Sequence, residues 1–548
     1  MATFVVNSLI FTLGYGHRGL ESRYNCDQPP LSCFSRLLAR GEAERKKVLM
    51  HILLLSMPDS FEHMPPHAIR MPNGALTSLA GNVDPQHRVA VADLILVQRQ
   101  VRETVTRLVR ELDPEVVGLS IMTFQRRTAA RIIELVRGLR PGVKIVVGGY
   151  DPSLAPEAYQ EMDVDYLVRS EGEVTFRELV RAIESGSGAE GIRGLSYRCR
   201  SRNGDSWVHN PDRPPHRLED SEIRPPNRDA RVLKGYTLMG RQIDVIETSR
   251  GCTYDCSFCS IIEMRGRNFH TYPFDRVLAD IRDARDHGAR TIFLVDDNIT
   301  LNVRRFEALC EAIIAAGLNK LDYFVQAMTS AIANHGETLA PLMRRAGFRY
   351  VFLGIENILE GDLEFLRAAA KNTERTNGHN TGNATLKAID YLHRNQMYVV
   401  GGLIVGSPGD TRESIEANLE FARRYVDWPY IQHPTPYPRT PMTKEFRDQG
   451  LIMSERLEEY DGTTAVVRTE HLPAEEVEFM RWRAERWMKI HHIPAVIKHD
   501  PGFVLIQGWK MFAHTFRGSS VRSALGLESE KKVFDRYRAI RRQEREYV

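Results

Sequence analysis

Features that would place this chain of 548 residues in a special class are mostly missing. No apolar run reaches the roughly 18 residues that a membrane-spanning helix requires. The N-terminal stretch lacks the basic segment and the small-residue cleavage site of a secretory signal. Cysteine is scarce, and seven cysteines, an odd number, do not suit a secreted disulfide framework. With 42% hydrophobic and 26% charged residues and no repeats, the composition is that of a globular protein.

Charge of one sign is not in excess, because 74 Lys and Arg residues against 71 Asp and Glu residues leave a formal net charge of +3. The charge is unevenly distributed, since residues 481–548 hold 15 basic and 7 acidic residues, a net of +8. No groove-reading motif accompanies this basicity, so we expect no nucleic-acid partner.

The first 49 residues differ from the rest of the chain. They are irregular and rich in Arg and Ser. They end just before Met50, which directly precedes an apolar run. We therefore predict that residues 1–49 are an unstructured leader, and whether they belong to the mature protein stays open.

Residues 50–185 alternate short apolar runs with amphipathic patterns. The apolar runs are His51–Leu55, Arg88–Ala92, Val116–Ser120, Lys144–Val147 and Tyr166–Val168. Short buried strands that alternate with helices predict an α/β fold with a doubly wound, Rossmann-like parallel sheet. Ligands bind such sheets beyond the carboxyl ends of the strands. Residues 186–242 then predict a small hairpin, with its turn at Arg202-Asn203-Gly204, and an extended linker.

Residues 243–450 form a second series of alternating strands and helices. Candidate strands are Ile243–Thr248, Thr291–Val295, Tyr323–Gln326, Tyr350–Gly354, Tyr398–Val405 and Tyr430–His433. Six strands favour a partial (β/α)6 TIM-like barrel, with its chemistry on the loops that follow the strands. Residues 451–548 predict a helical, basic C-terminal region. It covers the barrel mouth, forms a solvated cap or contacts an anionic membrane surface.

The loop after the first barrel strand carries Cys252, Cys256 and Cys259 within eight residues. Three thiolates on one short loop fit three corners of a cubic iron–sulfur cluster and leave the fourth iron open. A structural zinc site with His270 as its fourth ligand is the alternative. The C-x3-C-x2-C spacing after a strand that opens a β/α barrel resembles the radical S-adenosylmethionine (SAM) family.

In that family the open iron binds SAM, and an electron from the [4Fe-4S] cluster cleaves SAM to a 5′-deoxyadenosyl radical. The resemblance therefore makes Cys252, Cys256 and Cys259 the metal ligands and the catalytic centre. It also implies five cofactor contacts: Phe258, just before the third cysteine, at the adenine, Asp296 near the polar end of SAM, Gln326 at the end of the third strand, Glu356 at the ribose, and Gly402 in a strand whose backbone reads adenine. An acid at a strand end can equally be a helix cap or a surface residue.

The first α/β series resembles the cobalamin-binding domain of cobalamin-dependent radical SAM enzymes. By that resemblance five residues at strand ends are cofactor contacts: Ser120, Thr123, Gly148, Gly149 and Glu171. The sequence lacks the Asp-x-His-x-x-Gly motif whose His ligates cobalt in mutases. We therefore expect cobalamin to bind base-off, without a His ligand. A generic nucleotide-binding sheet is the alternative, although no Gly-x-Gly-x-x-Gly follows the first strand and no P-loop motif appears.

The resemblance implies an enzyme, most often one that methylates an unactivated carbon through the 5′-deoxyadenosyl radical and methylcobalamin. The alternatives are a non-methylating oxidoreductase or cyclase, similar to the anaerobic Mg-protoporphyrin monomethyl ester cyclase, and a non-enzymatic cobalamin or iron–sulfur sensor. We expect a small-molecule or lipid substrate and electrons from a flavodoxin or ferredoxin. A cytoplasmic location follows, because low-potential clusters need cellular reductants.

Overall fold

The computed structural model of the protein describes residues 50–548, except residues 64, 201–204, 219–221 and 377–378. The leader predicted at residues 1–49 and the hairpin turn predicted at residues 202–204 therefore lie outside the described residues. The described chain has two large sheets with helices around them, followed by a helical C-terminal region.

The N-terminal part alternates strands and helices, as its apolar runs predict. In chain order its elements are β1 (His51–Ser56), β2 (Ile69–Arg70), α1 (Gly74–Asn82), β3 (Arg88–Asp93), α2 (Val101–Leu112), β4 (Val116–Ser120), α3 (Arg126–Leu139), β5 (Lys144–Gly148), α4 (Tyr150–Leu154), β6 (Tyr166–Val168), α5 (Gly172–Ser185), β7 (Leu195–Cys199) and β8 (Ser206–His209). β1 is apolar on both faces because helices cover both sides of a parallel sheet.

The first sheet has seven strands in the order β3-β1-β4-β5-β6-β7-β8. The first five are parallel, and β7 and β8 extend the sheet as an antiparallel hairpin. The strand order reverses between β1 and β4, whose carboxyl ends pair Ser56 with Ser120. Such a switch point is where doubly wound sheets bind their ligands.

The second part forms the sheet of an open barrel. Its elements are β9 (Thr237–Leu238), β10 (Arg241–Ile246), β11 (Ser249–Arg250), α6 (Ile261–Arg265), β12 (His270–Thr271), α7 (Phe274–Asp286), β13 (Thr291–Leu294), α8 (Val303–Ala315), β14 (Asp322–Met328), α9 (Thr329–Arg345), β15 (Phe348–Glu356), α10 (Glu360–Phe365), α11 (Ala369–Asn372), β16 (Thr373–Thr376), β17 (His379–Asn383), α12 (Thr385–Arg394), β18 (Tyr398–Ile404), α13 (Arg412–Tyr425), β19 (Trp428–Gln432) and α14 (Pro441–Asp448).

The barrel sheet follows the order β19-β18-β15-β14-β13-β10-β9-β2. The six strands from β10 to β19 are parallel, and β9 and β2 close one edge as short antiparallel strands. The predicted α/β class, with a doubly wound sheet and a partial six-stranded barrel, is confirmed. The carboxyl ends of the six strands carry the loops that build the site.

The C-terminal region is helical, with α15 (Ala474–His491), α16 (Ile493–His499), α17 (Pro501–Thr515), α18 (Val521–Ala524) and α19 (Glu530–Glu544). Among the described residues, none of these or the other helices combines the length and hydrophobicity of a membrane span.

Candidate active site

The three cysteines lie on the loop between β11 and α6, and none of them forms a disulfide. Gly251 opens this loop with a φ of 92°, and a side chain there would meet the carbonyl oxygen of Asn268 at 2.4 Å. Ser257 fixes the middle of the loop, since its amide and hydroxyl donate to the carbonyls of Leu366 and Phe365. These contacts fix the backbone of the loop and thereby position all three thiols.

Burial makes two of the thiols hard to ionise in the metal-free chain. It raises the pKa of Cys256 to about 12 and that of Cys259 to about 11, although the ammonium group of Lys371 lowers both. Lys371 also binds the carboxylate of Glu356 at 3.0 Å. Sequence reasoning did not single out Lys371, which places a positive charge next to thiols that metal binding would deprotonate.

Among residues 50–548, outside the gaps given above, no three His, Cys, Asp or Glu side chains converge on a point where one metal ion could sit. His270, the fourth ligand of the zinc alternative, pairs with Arg250 in the small antiparallel ladder of β11 and β12. A cubic iron–sulfur cluster is larger than a single ion, so its three cysteines need not converge in this way.

Three consecutive polar residues after β13 hold the cysteine loop. Asp296 is buried and accepts hydrogen bonds from the amide and hydroxyl of Thr248, at 2.6 and 2.5 Å, and from the Ser249 hydroxyl. Asp297 accepts from the amide of Gly251 at 2.8 Å, and Asn298 donates to the sulfur of Cys252 at 3.5 Å. The carboxylate of Asp296 thus accepts hydrogen bonds from Thr248 and Ser249, which directly precede the cysteine loop.

The other residues assigned to SAM by resemblance have different surroundings. Glu356 ends β15 after a β-bulge, with a φ of 61°, and its carboxylate contacts Lys371. Phe258 is half-buried and packs beside Phe365 and Cys256. Gly402 lies in β18, where a side chain would meet the ring of Phe352 at 2.7 Å. Gln326 faces the inside of the barrel.

A cavity of about 360 Å³ lies between the two sheets. From the first sheet it is lined by Ser120, Gly148, Gly149 and Glu171, and from the barrel by Glu247, Arg250, Arg265 and Val295. Thr123 does not line it, because this residue is buried in the short helical turn Thr123–Gln125 beyond β4. Four of the five residues predicted for cobalamin therefore meet at one cavity.

The lining of this cavity suits a broad cofactor that approaches the backbone. Five of its residues are glycines: Gly74, Gly118, Gly148, Gly149 and Gly172. Gly149 has a φ of 106° and crosses the backbone of Ile121 so closely that a side chain would meet its carbonyl oxygen at 2.7 Å. Among the described lining residues there is no histidine. The residues present thus fit a corrin held by backbone and hydroxyl groups.

Arg250, directly before the cysteine loop, joins the two sheets at this cavity. It is buried, and its guanidinium binds Glu173 at 2.6 Å and Glu247 at 2.8 Å, with Glu171 at 3.7 Å. Burial raises the pKa of Glu173, but the Arg250 guanidinium outweighs it and lowers that pKa to about 2. Burial raises the pKa of Glu247 to about 7. Sequence reasoning missed this network because Glu171 and Glu173 are distant from Arg250 along the chain, although Glu247 is only three residues away.

A second cavity, of about 430 Å³, lies inside the barrel. Its wall is mostly aromatic, with Phe293, Phe324, Tyr350, Phe352, Tyr398, Trp428 and Tyr430. Gln326 joins this wall, and Met328, two residues further along β14, contacts Asn298 through its sulfur at 3.1 Å. Alternate residues of a strand face the same side, so Met328 lies on the same side of the sheet as Gln326, next to Asn298 and the cysteine loop.

Comparison with known proteins yields matches to both parts of the chain. The B12 binding domain model matches residues 70–180, and the Radical SAM superfamily model matches residues 246–422. An uncharacterised methyltransferase of Pyrococcus horikoshii is 28% identical over 407 residues, which cover 73% of this chain and 84% of the relative. The anaerobic magnesium-protoporphyrin IX monomethyl ester cyclase of Rubrivivax gelatinosus is 26% identical over 68% of this chain, and the match spans 64% of the cyclase's own length.

A solved structure shares the fold. It is the radical S-adenosylmethionine methyltransferase TsrM from Kitasatospora setae with cobalamin and a [4Fe-4S] cluster bound, with a TM-score of 0.58 over 73% of this chain and 78% of that one. At 21% identity this likeness shows the fold alone. The two family models confirm the resemblance found in the sequence. The chain is therefore a radical SAM enzyme that carries a B12 binding domain in front of its radical SAM domain.

Proposed function

We propose that this enzyme methylates an unactivated carbon of its substrate in a cobalamin-dependent radical reaction. The observation that carries the proposal is the cavity between the sheets, which the strand ends of the B12 binding domain share with Arg250, two residues before Cys252. A methyl donor at the first sheet and a hydrogen-abstracting group at the barrel can then act on one carbon.

The protein's residues have separate roles in this proposal. Cys252, Cys256 and Cys259 would hold three irons of the cluster, while Asp297 and Asn298 hold the loop that carries them. When bound, the cluster and SAM supply the radical chemistry, and cobalamin supplies the methyl group. Lys371 offsets the negative charge that thiolates bring to a buried site.

Ser120, Gly148, Gly149 and Glu171 would hold the cobalamin, which we propose binds base-off. The absence of histidine among the described lining residues supports this, as does the missing mutase motif. We further propose that residues 50–185 form the cobalamin-binding domain, 186–242 a hairpin and linker, and 243–450 the radical SAM barrel. A flavodoxin or ferredoxin in the cytoplasm would supply the electrons.

The similarity to the cyclase of Rubrivivax gelatinosus favours a second candidate, a reaction without methyl transfer. The two candidates differ in their SAM products. Methyl transfer consumes one SAM as radical source and another as methyl source, so 5′-deoxyadenosine and S-adenosylhomocysteine accumulate together. Liquid chromatography of a full turnover that showed 5′-deoxyadenosine without S-adenosylhomocysteine would exclude the methyltransferase.

Filling the cavity between the sheets should remove cobalamin selectively. In Ser120→Phe a phenyl ring replaces the hydroxyl of a residue that lines the cavity, so we expect cobalamin content to fall at least tenfold while iron content is unchanged. The control is Ser120→Ala, which loses the hydrogen bond from Asn73 but fills no space. Absorption spectra and iron assays of anaerobically purified protein measure both. Cobalamin at the wild-type level in Ser120→Phe would refute the assignment.

We also propose that the substrate carries a large apolar part, which lies in the aromatic barrel cavity. Apart from its tyrosines, the cavity has four polar side chains among its described lining residues: His63, Gln326, Gln432 and Asp500. Burial of apolar surface favours apolar ligands there by about 25 cal/mol per Å². β14 lines this cavity through Gln326 and leads to Met328 and Asn298 beside Cys252, so a carbon of a ligand at that end of the cavity would lie near the radical source.

A substitution inside the barrel tests this substrate class. Val400 lines the cavity, and Val400→Trp would occupy much of it. We expect the affinity for the fluorescent apolar probe cis-parinaric acid to fall at least tenfold, measured by energy transfer from tryptophan. Leu386→Ser, at an exposed site elsewhere, is the control and should leave the affinity unchanged. Equal affinity of Val400→Trp and wild type would contradict an apolar barrel site.

A further inference from the structure

Helix α17 exposes apolar side chains where helices of globular proteins expose polar ones. Leu505 is 87% exposed, Ile506 74%, Trp509 71% and Phe512 57%. These four residues share one side of the helix. The polar side chain of Gln507 points to the other side, where it is half-buried. A helix in water normally shows the opposite pattern.

The exposed patch continues onto the neighbouring helices. The ring of Phe512 lies 4.7 Å from that of Phe516, which lies 6.1 Å from the ring of Trp487 on α15. Trp487 is itself 56% exposed, and Ile497 on α16 is exposed as well. We call the surface formed by Trp487, Leu505, Ile506, Trp509 and Phe512 the apolar face. Contiguous apolar surface of this kind marks a binding site.

Cations predominate in the segment that carries most of the apolar face. Residues 486–527 contain six Lys and Arg residues and one acid, Asp500. Asp500 is buried and accepts a hydrogen bond from the hydroxyl of Tyr350 at 2.6 Å, so its charge is directed into the barrel. Lys498, Lys510 and Arg522 are exposed. Arg517 pairs with Glu62 and Glu544, which leaves the three exposed cations beside the apolar residues. Apolar residues flanked by exposed cations complement an anionic lipid surface, where acyl chains and phosphate groups lie side by side.

The opposite side of α17 is packed firmly, so the helix is held with its apolar face outward. Phe503 is buried against the aromatic residues inside the barrel, and Val504 packs with it. Met511 lines the barrel cavity. One helix thus separates the barrel cavity from the apolar face.

We propose that the apolar face docks on the surface of an anionic lipid bilayer, with α17 in the plane of the interface. This binding goes beyond the methyl-transfer function and does not depend on it. It also gives the apolar barrel cavity a source of ligand, because a bilayer is where large apolar molecules reside.

Flotation of the full-length protein, including residues 1–49, with vesicles tests the docking without any turnover. We expect the protein to float with vesicles of phosphatidylcholine mixed with phosphatidylglycerol, and less with phosphatidylcholine alone or at high salt. The double variant Leu505→Ser/Trp509→Ser should lower the partition coefficient at least tenfold. The matched control Leu386→Ser/Met453→Ser changes two exposed apolar residues away from the C-terminal helices and should float like wild type.

Three results would overturn the proposal. One is wild-type protein that stays in solution with anionic vesicles. Another is a Leu505→Ser/Trp509→Ser variant that floats as well as wild type. The third is analytical ultracentrifugation in which the wild type is a dimer and this variant a monomer, since a second copy of the chain would then cover the face. Failure of methyl transfer would leave the flotation result unchanged, so the two proposals fail separately.

Discussion

Replacing any one of Cys252, Cys256 and Cys259 with alanine is expected to abolish SAM cleavage, with a loss of at least about 1000-fold. The loop offers three thiols, and a cubic cluster with one open iron needs all three as ligands. The loop itself should survive the change, because Gly251 and Ser257 fix its backbone. Formation of 5′-deoxyadenosine after reduction with dithionite measures the activity, and iron content measures the cluster.

Cys199 supplies the control for this experiment. It is a free, half-buried thiol at the end of β7, in the hairpin that extends the first sheet. Cys199→Ala should keep wild-type iron content and SAM cleavage. A cysteine-loop variant that retained the cluster signal in electron paramagnetic resonance would show that the metal is bound elsewhere.

Arg250→Met is expected to lower the free energy of unfolding by about 3–5 kcal/mol, because it leaves buried carboxylates without their cation. Glu173 and Glu247 both contact this guanidinium, and both face the cavity between the sheets. The control is Arg107→Met, which removes the exposed ion pair with Glu111. We expect it to lower the free energy of unfolding by at most about 0.5 kcal/mol. Denaturant unfolding of the two variants gives the comparison. Equal stability of Arg250→Met and wild type would mean that the ion pairs of Arg250 make no net contribution to the free energy of unfolding.

The same ion pair should make the wild type sensitive to acid. The pKa of Glu173 is about 2 in the folded chain and 4.5 for the ordinary group. A lowered folded pKa stabilises the protein above the unfolded pKa, and the contribution disappears as the pH falls from about 4.5 to about 2. This difference corresponds to roughly 3 kcal/mol. In Arg250→Met this part of the acid dependence should be absent, because the cation that lowers the pKa has been removed.

The sequence predicted the strands because their signals are local. Buried runs such as His51–Leu55 and Val116–Ser120 need only neighbouring residues to be recognised, and the strands found there begin at the predicted residues. The cysteine loop was also recognisable, because its three thiols lie within eight residues. Periodicity and spacing therefore predicted the two sheets and the position of the cysteine loop.

Contacts between distant parts of the chain were not predictable in this way. Arg250 contacts Glu173 across the two sheets, 77 positions apart in sequence. Lys371, in the segment between β15 and β18, lies beside the cysteine loop. Thr123 is buried in the turn after β4 rather than at the cavity, because a hydroxyl next to a strand end can turn into the core. Which side chains face a cavity depends on how the two sheets pack, and no local pattern records that.

We propose that one chain holds a cluster and a cobalamin at a shared cavity. Metal and cofactor analysis of protein purified anaerobically from cobalamin-supplied cells tests it most directly, together with electron paramagnetic resonance of the same preparation. We expect about one cobalamin and about four iron atoms per chain, with the cobalt signal of base-off cobalamin. Iron without cobalamin would contradict it, and the proposed methyl transfer would then have no methyl donor.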